Sequence, residues 1–135
     1  MTEIIPAEVA HNLAYGNLLR VFSNRDRASR LNAIRETYHA DVSFYEPDCV
    51  VAGHDGVDAK SEELLNSRPG WGFVPVGNVQ RNHNMVYLAW GFGPQNDATG
   101  EVDVQVNGAD VLIVDQGKVR TFWVIIEGIS DIKKA

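Results

Sequence analysis

One cysteine, Cys49, is all that 135 residues provide. No internal disulfide can form, and no cysteine-based zinc cluster. Basic residues are also few: 12 Lys and Arg stand against 18 Asp and Glu, for a net charge of −6. Phosphate-rich partners need clustered positive charge, so neither nucleic acid nor an anionic membrane is an expected partner. The exceptions are a C-terminal pair, Lys133 and Lys134, and the set Arg25, Arg27, Arg30 and Arg35 on one helix. That set reads as a solvated face. No apolar run approaches the ~20 residues that cross a bilayer. The start, MTEIIPAEVAH, has no apolar core of signal-peptide length, so a cytoplasmic protein is expected. Repeats, low-complexity tracts and linkers are missing too. One domain spanning 1–135 is the expectation, long enough to bury a core.

What is present is mostly periodicity. From Pro6 to Phe22, His11, Tyr15, Leu18 and Phe22 share a helical stripe with Leu19 beside it. Ser23-Asn24 interrupts and can cap a second helix, with Asp26 in its first turn and Ala28, Leu31, Ile34, Arg35 and Tyr38 along its seam. DVSFYE (41–46) changes to period two, with Val42, Phe44 and Glu46 on one side, and Pro47 ends that strand. A third helix spans about 57–66 and is broken by Arg68-Pro69-Gly70. Strands follow over 73–80 and 85–92, then 101–115 and 119–127, the last pair joined by a hairpin at Asp115-Gln116-Gly117-Lys118. Three helices gathered on one side of an antiparallel sheet make an α+β fold, which can curl into a cone open at one end.

The stretch EVDVQVNGADVLIVD (101–115) carries the chemical signal. Its even positions, Val102, Val104, Val106, Gly108, Asp110, Leu112 and Val114, define one buried strand face. Asp110 is a carboxylate among valines. Burial disfavours its charged form, so it is either an acid or base with a raised pKa, or a structural group paired with Arg120 or with backbone amides beside Gly108. Glu46 is the second carboxylate on an apolar side. It either takes a proton from carbon or water, or reaches solvent from a strand end.

The remaining polar and aromatic residues read as follows. His83 lies in a polar turn and His54 in a loop before a helix, while His39 looks like a cation at a helix terminus. His11 shares its stripe with Tyr15. No pair of these has the context of a metal site, and no metal is expected. Trp90 belongs to the core or the pocket wall, and Trp71 is placed to cover a cavity mouth. Trp123, on the opposite parity to Phe122, Val124 and Ile126, is expected at a subunit interface, with a homodimer forming through the sheet.

Four short motifs recur in order: SNRD (23–26), YHADVSFYEP (38–47), AGHDGV (52–57) and DQGKV (115–119). Through them nearly the whole chain resembles the SnoaL-like group of the nuclear transport factor 2-like fold, relatives of ketosteroid isomerase and polyketide cyclases. The resemblance implies three N-terminal helices packed in a strongly curved mixed or antiparallel sheet. It also implies a cofactor-free isomerase, cyclase, dehydratase or epoxide hydrolase acting on a small apolar polyketide-, terpenoid- or steroid-like molecule. Laid on ketosteroid isomerase, its proton-shuttling carboxylate falls at Glu46 and its protonated oxyanion-hole aspartate at Asp110. Its oxyanion-hole tyrosine falls at Leu18, a departure that removes one of two donors. Tyr15 or His11, nearby on the stripe, would be the substitute donor. Leu18, Phe22, Tyr38, Trp71, Trp90, Leu112, Phe122 and Val124 would contact the ligand. The same fold also hosts binding proteins that sequester an apolar ligand, and dimeric interaction modules with a vestigial pocket.

Overall fold

A computed structural model describes residues 3–133; Lys134, half of the C-terminal basic pair, lies outside them. Helix α1, Ala7–Tyr15, starts behind Pro6, whose carbonyl accepts the Ala10 amide at 3.1 Å. At Gly16–Phe22 the helix widens into π-helical turns, closed by Ser23 N donating to Leu18 O at 3.0 Å. An i→i+5 turn advances the chain by a smaller angle per residue than an α-turn. The stripe expected from Pro6 to Phe22 is therefore split: Leu18 and Phe22 are buried, His11 is exposed and Tyr15 only half-buried.

Helix α2, Arg27–Thr37, is capped by Asp26, whose side chain accepts the Ser29 amide. The expected cap at Ser23-Asn24 is corrected, although Asn24 does buttress the turn by accepting the Asp26 amide at 3.1 Å. The buried face of α2 is Arg30, Ala33, Ile34 and Thr37, whereas Ala28 and Arg35 are exposed. The solvated arginine face is corrected at Arg30; Arg25, Arg27 and Arg35 are exposed. Arg30 is 1% exposed and paired to Asp58 at 2.9 Å. Arg25 donates to the carbonyls of Leu65, Arg68 and Trp71, each at 2.9 Å.

Strand β1, Tyr38–Tyr45, begins where α2 ends, three residues before the expected start. His39 is therefore a strand residue rather than a helix terminus, its Nε2 hydrogen-bonded to the Asp115 carbonyl. Pro47 does stop the strand, and a turn from Glu46 to Cys49 leads to the short β2, Val50–Ala52. Helix α3, Gly53–Ser67, follows, and then β3 (Trp71–Asn82), β4 (Met85–Pro94), β5 (Val106–Asp115) and β6 (Lys118–Ile126). Gln116 and Gly117 both have positive φ, 51° and 81°, the signature of a two-residue type I′ hairpin.

The sheet order is β2-β1-β6-β5-β4-β3, with β1 and β6 parallel and every other pair antiparallel. Bulges bend it. Between Val76 and Gln80 strand β3 advances four residues while its partners move only from Ala89 to Tyr87, with Gly77 at φ +75°. The concave face, carrying Phe44, Phe73, Leu88, Trp90, Leu112 and Phe122, closes over the three helices and forms the core.

Strand β5 is shorter than the expected 101–115. Its ladder with β4 holds to Phe92↔Val106 and then slips by one residue, to an isolated bridge Gln95↔Val102. A one-residue slip exchanges faces. Val104 accordingly packs over Gly91 on the convex side, 37% exposed, and does not continue the Asp110 face. The convex side also exposes Tyr45, Trp123 and Ile125, with Tyr45 and Trp123 stacked at 5.4 Å. No helix among the described residues is long and apolar enough to cross a membrane.

Candidate acid/base site in an apolar cavity

Between the helices and the concave face lies a cavity of about 250 Å³. Its wall is aromatic and aliphatic, including Leu18, Phe22, Phe44, Phe73, Phe92 and Phe122. Exposed Ser67, Arg68 and Ile129 mark its mouth, where the Arg68 guanidinium lies 5.5 Å from the Trp71 ring centre.

Asp110 is the polar group deep in this wall. It sits mid-strand on β5, directly between Leu88 on β4 and Val124 on β6. Alternation makes it face inward with Leu112 and Val114, and only 7% of it is exposed. Asn17 Nδ2 donates to Asp110 Oδ2 at 3.0 Å and Trp90 Nε1 donates to Oδ1 at 3.1 Å. Burial pushes the carboxyl from its ordinary 3.8 up to about 7, against the opposing pull of those two hydrogen bonds. Pairing with Arg120, one of the readings open from sequence, is corrected: Arg120 binds Asp115 at 2.9 Å and Asp41 at 3.4 Å. Trp90 is held in place by Gly108, since a Cβ there would meet its ring at 2.4 Å.

Glu46 also lines the cavity, one residue beyond β1 and nearer the mouth. Its Oε2 carries the Lys60 ammonium at 3.0 Å and accepts from Cys49 Sγ at 3.3 Å. The hydrogen bond to Glu46 raises the pKa of both Lys60 and the exposed Cys49 thiol. Glu46, Asp48 and Cys49 place one ligand atom each within 4.8 Å of one another, the one such trio among the described residues. Glu46 already has Lys60 as its counter-charge, so we assign no ion there.

The other expected site residues divide. Leu18, Phe22, Trp71, Trp90, Phe122 and Val124 line the cavity. Tyr38 and Leu112 do not; they lie behind the wall, 0% and 1% exposed. His11 and Tyr15 are corrected as catalytic candidates. The two rings stack on each other at 4.2 Å and border a separate open groove with Asn78, Val79 and Arg81. The π-turns are the physical reason, because they rotate Leu18 and Phe22 towards the cavity and leave His11 and Tyr15 turned away. His54 Nε2 bonds the Tyr38 carbonyl at 2.9 Å, and His83 sits exposed in the β3–β4 turn.

The residue that sequence reasoning missed is Asn17. It is 1% exposed and bridges two buried groups, accepting from the Tyr38 hydroxyl at Oδ1 while donating to Asp110. It directly precedes Leu18 and supplies Asp110 with a polar contact from the helical side. An asparagine inside an otherwise apolar helical stretch is the only sequence signal it leaves.

No protein-family model matches the chain, and no curated protein matches it. Solved structures do. A candidate isomerase of the SnoaL-like family from Agrobacterium tumefaciens strain C58 superposes with a TM-score of 0.77 at 19% identity, over 88% of this chain and 98% of that one. A candidate SnoaL-like polyketide cyclase from Jannaschia sp. CCS1 gives 0.66 at 17%, over 92% and 96%. A candidate ketosteroid isomerase from Kribbella flavida gives 0.66 at 14%, over 95% and 84%. At such identities the likeness concerns the backbone, and it agrees with three helices held in one curved mixed sheet. The chain has the nuclear transport factor 2-like fold that SnoaL-like and ketosteroid isomerase-like proteins share.

Proposed function

We propose that the chain is a cofactor-independent acid/base enzyme acting on a small, largely apolar molecule, with Asp110 as the proton-transferring group. The observation that carries this is a buried carboxylate, bound on both oxygens by donors, inside an apolar cavity and poised near pH 7. A group titrating near the working pH supplies both an effective base and an effective acid. As carboxylate, Asp110 would take a proton from an activated carbon or a water. As carboxylic acid, it would return that proton to an oxygen of the substrate. Isomerisation, cyclisation, dehydration and epoxide opening all need such a step. Glu46, matched by Lys60 at the mouth, would orient the polar end of the substrate instead of shuttling protons.

At about 250 Å³ the cavity falls below the roughly 300–1,000 Å³ typical of pockets for drug-sized ligands. A compact terpenoid or polyketide fragment therefore fits the reading better than a tetracyclic steroid. Screening compact cyclic ketones and epoxides for turnover tests it. Asp110→Asn should lose roughly a hundredfold or more in kcat/KM while staying folded, and Glu46→Gln should lose less than about tenfold. Full activity in the Asp110 variant would end the proposal.

A second reading, a non-catalytic binder of apolar ligands, is favoured by Leu18 at the tyrosine position and by the Glu46–Lys60 pair. It predicts tight binding of the same ketones with no product at any pH. In either case we propose that two copies pair through the convex sheet face, where Tyr45, Trp123 and Ile125 are exposed. Light scattering should give twice the chain mass for the wild type and a monomer for Trp123→Asp, with ligand binding retained because Trp123 points away from the cavity. A wild-type monomer would remove this pairing.

A further inference from the structure

Behind the cavity wall lies a buried polar residue, Asn17, whose second hydrogen bond the acid/base reading leaves unexplained. Asn17 lies on the π-helical segment behind Asp110, and Tyr38 lies behind Asn17 at the start of β1, its ring stacked on Phe122 at 5.3 Å. An amide can present either its oxygen or its NH₂ to a neighbour, and the network decides which. Tyr38 is fully buried, and burial together with the charge of Asp110 keeps its hydroxyl protonated. A buried phenol that keeps its proton needs an acceptor; Asn17 Oδ1 is the one the structure gives it, which turns Nδ2 to Asp110. Trp90 Nε1 can only donate.

Both partners of Asp110 among the described residues are therefore donors. They satisfy the carboxylate, but neither can accept the proton of the neutral acid. We propose that Tyr38 and Asn17 are positioning residues, a two-link relay that locks the Asn17 amide as a donor and so leaves the cavity as the place where the Asp110 proton must point. The relay bears on the acid/base role proposed for Asp110, but its test needs no substrate, so it can fail while that role stands.

The charged and titratable groups around Asp110 are few. Tyr38 lies behind Asn17, and Glu46 and Arg68 face the same cavity nearer its mouth; the last two stay unaltered in the variants. From β4 and β6 the immediate neighbours across the ladder are Leu88 and Val124, both apolar. Without the Tyr38 hydroxyl nothing pins the Asn17 oxygen. The amide can then turn, and Asp110 exchanges a donor for an acceptor.

The experiment is the pH titration of the Asp110 side-chain carboxyl by carbon NMR in the full chain, for the wild type, Tyr38→Phe, Asn17→Leu and the double variant. Tyr38→Phe should raise the midpoint by roughly one pH unit, about tenfold in the acid dissociation constant. Asn17→Leu should shift it in the same direction, and the double variant should match Asn17→Leu alone, because Tyr38 acts only through the amide. A packing role would lower thermal stability and leave the midpoint where it is. An unchanged midpoint in Tyr38→Phe, or shifts that add, would overturn the relay. Should Tyr38→Phe not fold, the wild-type side-chain amide protons of Asn17 decide it. They should shift with the Asp110 midpoint, and amide protons indifferent to that titration overturn the relay equally.

Discussion

As pH rises from about 4 to about 8, the protein is expected to lose about 4 kcal/mol of stability that an Asp110→Asn variant keeps. Burial holds the Asp110 carboxyl at about 7 in the folded chain, whereas unfolding returns it to 3.8. Between those values the native state carries a proton that the unfolded chain has already released. Stability must then fall with rising pH, in the opposite sense to an aspartate stabilised by a salt bridge. Below 3.8 both states are protonated and the term vanishes; above 7 the cost is complete. Asparagine at this position has no such titration. Its NH₂ must face one of two donors, Asn17 or Trp90, a penalty that does not vary with pH and drops out of the slope. Urea unfolding of both proteins at a series of pH values reads the effect directly. The difference between the two stability curves should be constant at the acid end, change by about 4 kcal/mol between about pH 4 and 7, and be constant again above neutrality. Parallel curves would mean that Asp110 is not held neutral by its surroundings, and the acid/base role would lose its basis.

Asp58→Asn is expected to cost about 3–5 kcal/mol, more than an exposed ion pair could account for. Arg30 is buried between α2 and α3. Its Nε reaches Asp58 Oδ1 at 2.9 Å and its Nη1 reaches the Asn24 carbonyl at 2.9 Å. Asp58 is only 8% exposed at its side chain and is shared with Arg27 at 3.2 Å. Glu62 approaches Arg30 Nη2 at 3.4 Å but is 44% exposed, and no aligned hydrogen bond forms there. Removing the Asp58 charge would strand a guanidinium in the interior with one solvent-screened partner. Arg30→Met combined with Asp58→Leu should recover most of the loss, because a buried ion pair contributes little once its desolvation is counted. Denaturant unfolding of the two variants checks this. A loss below about 1 kcal/mol in the single variant would show that water reaches Arg30.

The same residues show where the sequence was legible and where it was not. Asp110 could be found because a charge among valines breaks a two-residue alternation, and from Asp110 to Val114 buried and half-buried positions do alternate. The alternation says nothing of where pairing slips, so Val102 and Val104 were assigned to the same face as Asp110. Arg30 looked solvated because its neighbours Arg25, Arg27 and Arg35 share its chemistry. Its partner Asp58 lies 28 positions away on another helix. His11 and Tyr15 were placed by a 3.6-residue period that ends at Gly16. Whether a turn closes on i+4 or i+5 is decided by packing against the sheet, so the π-turns had no local signature and Asn17 only that of an amide in an apolar stretch. The cone itself was readable, since it follows from element order and from hairpins with recognisable turns.

The parallel pairing of β1 with β6 has a consequence for how the molecule comes to exist. Tyr38 pairs with Val119, a separation of 119 − 38 = 81 residues, and such distant contacts close slowly because chain entropy is lost before any contact forms. A ribosome releases the chain from its N-terminal end. Strand β1 then waits with only the short β2 at its side until β6 has been made. Asp41, exposed along that waiting edge, and Pro47 just past its end are the sort of residues that discourage a neighbouring nascent chain from docking there. The cavity thus cannot close before β6 has emerged. A chain truncated before β6 would carry Asp110 but lack the strand that places Phe122 and Val124 around it.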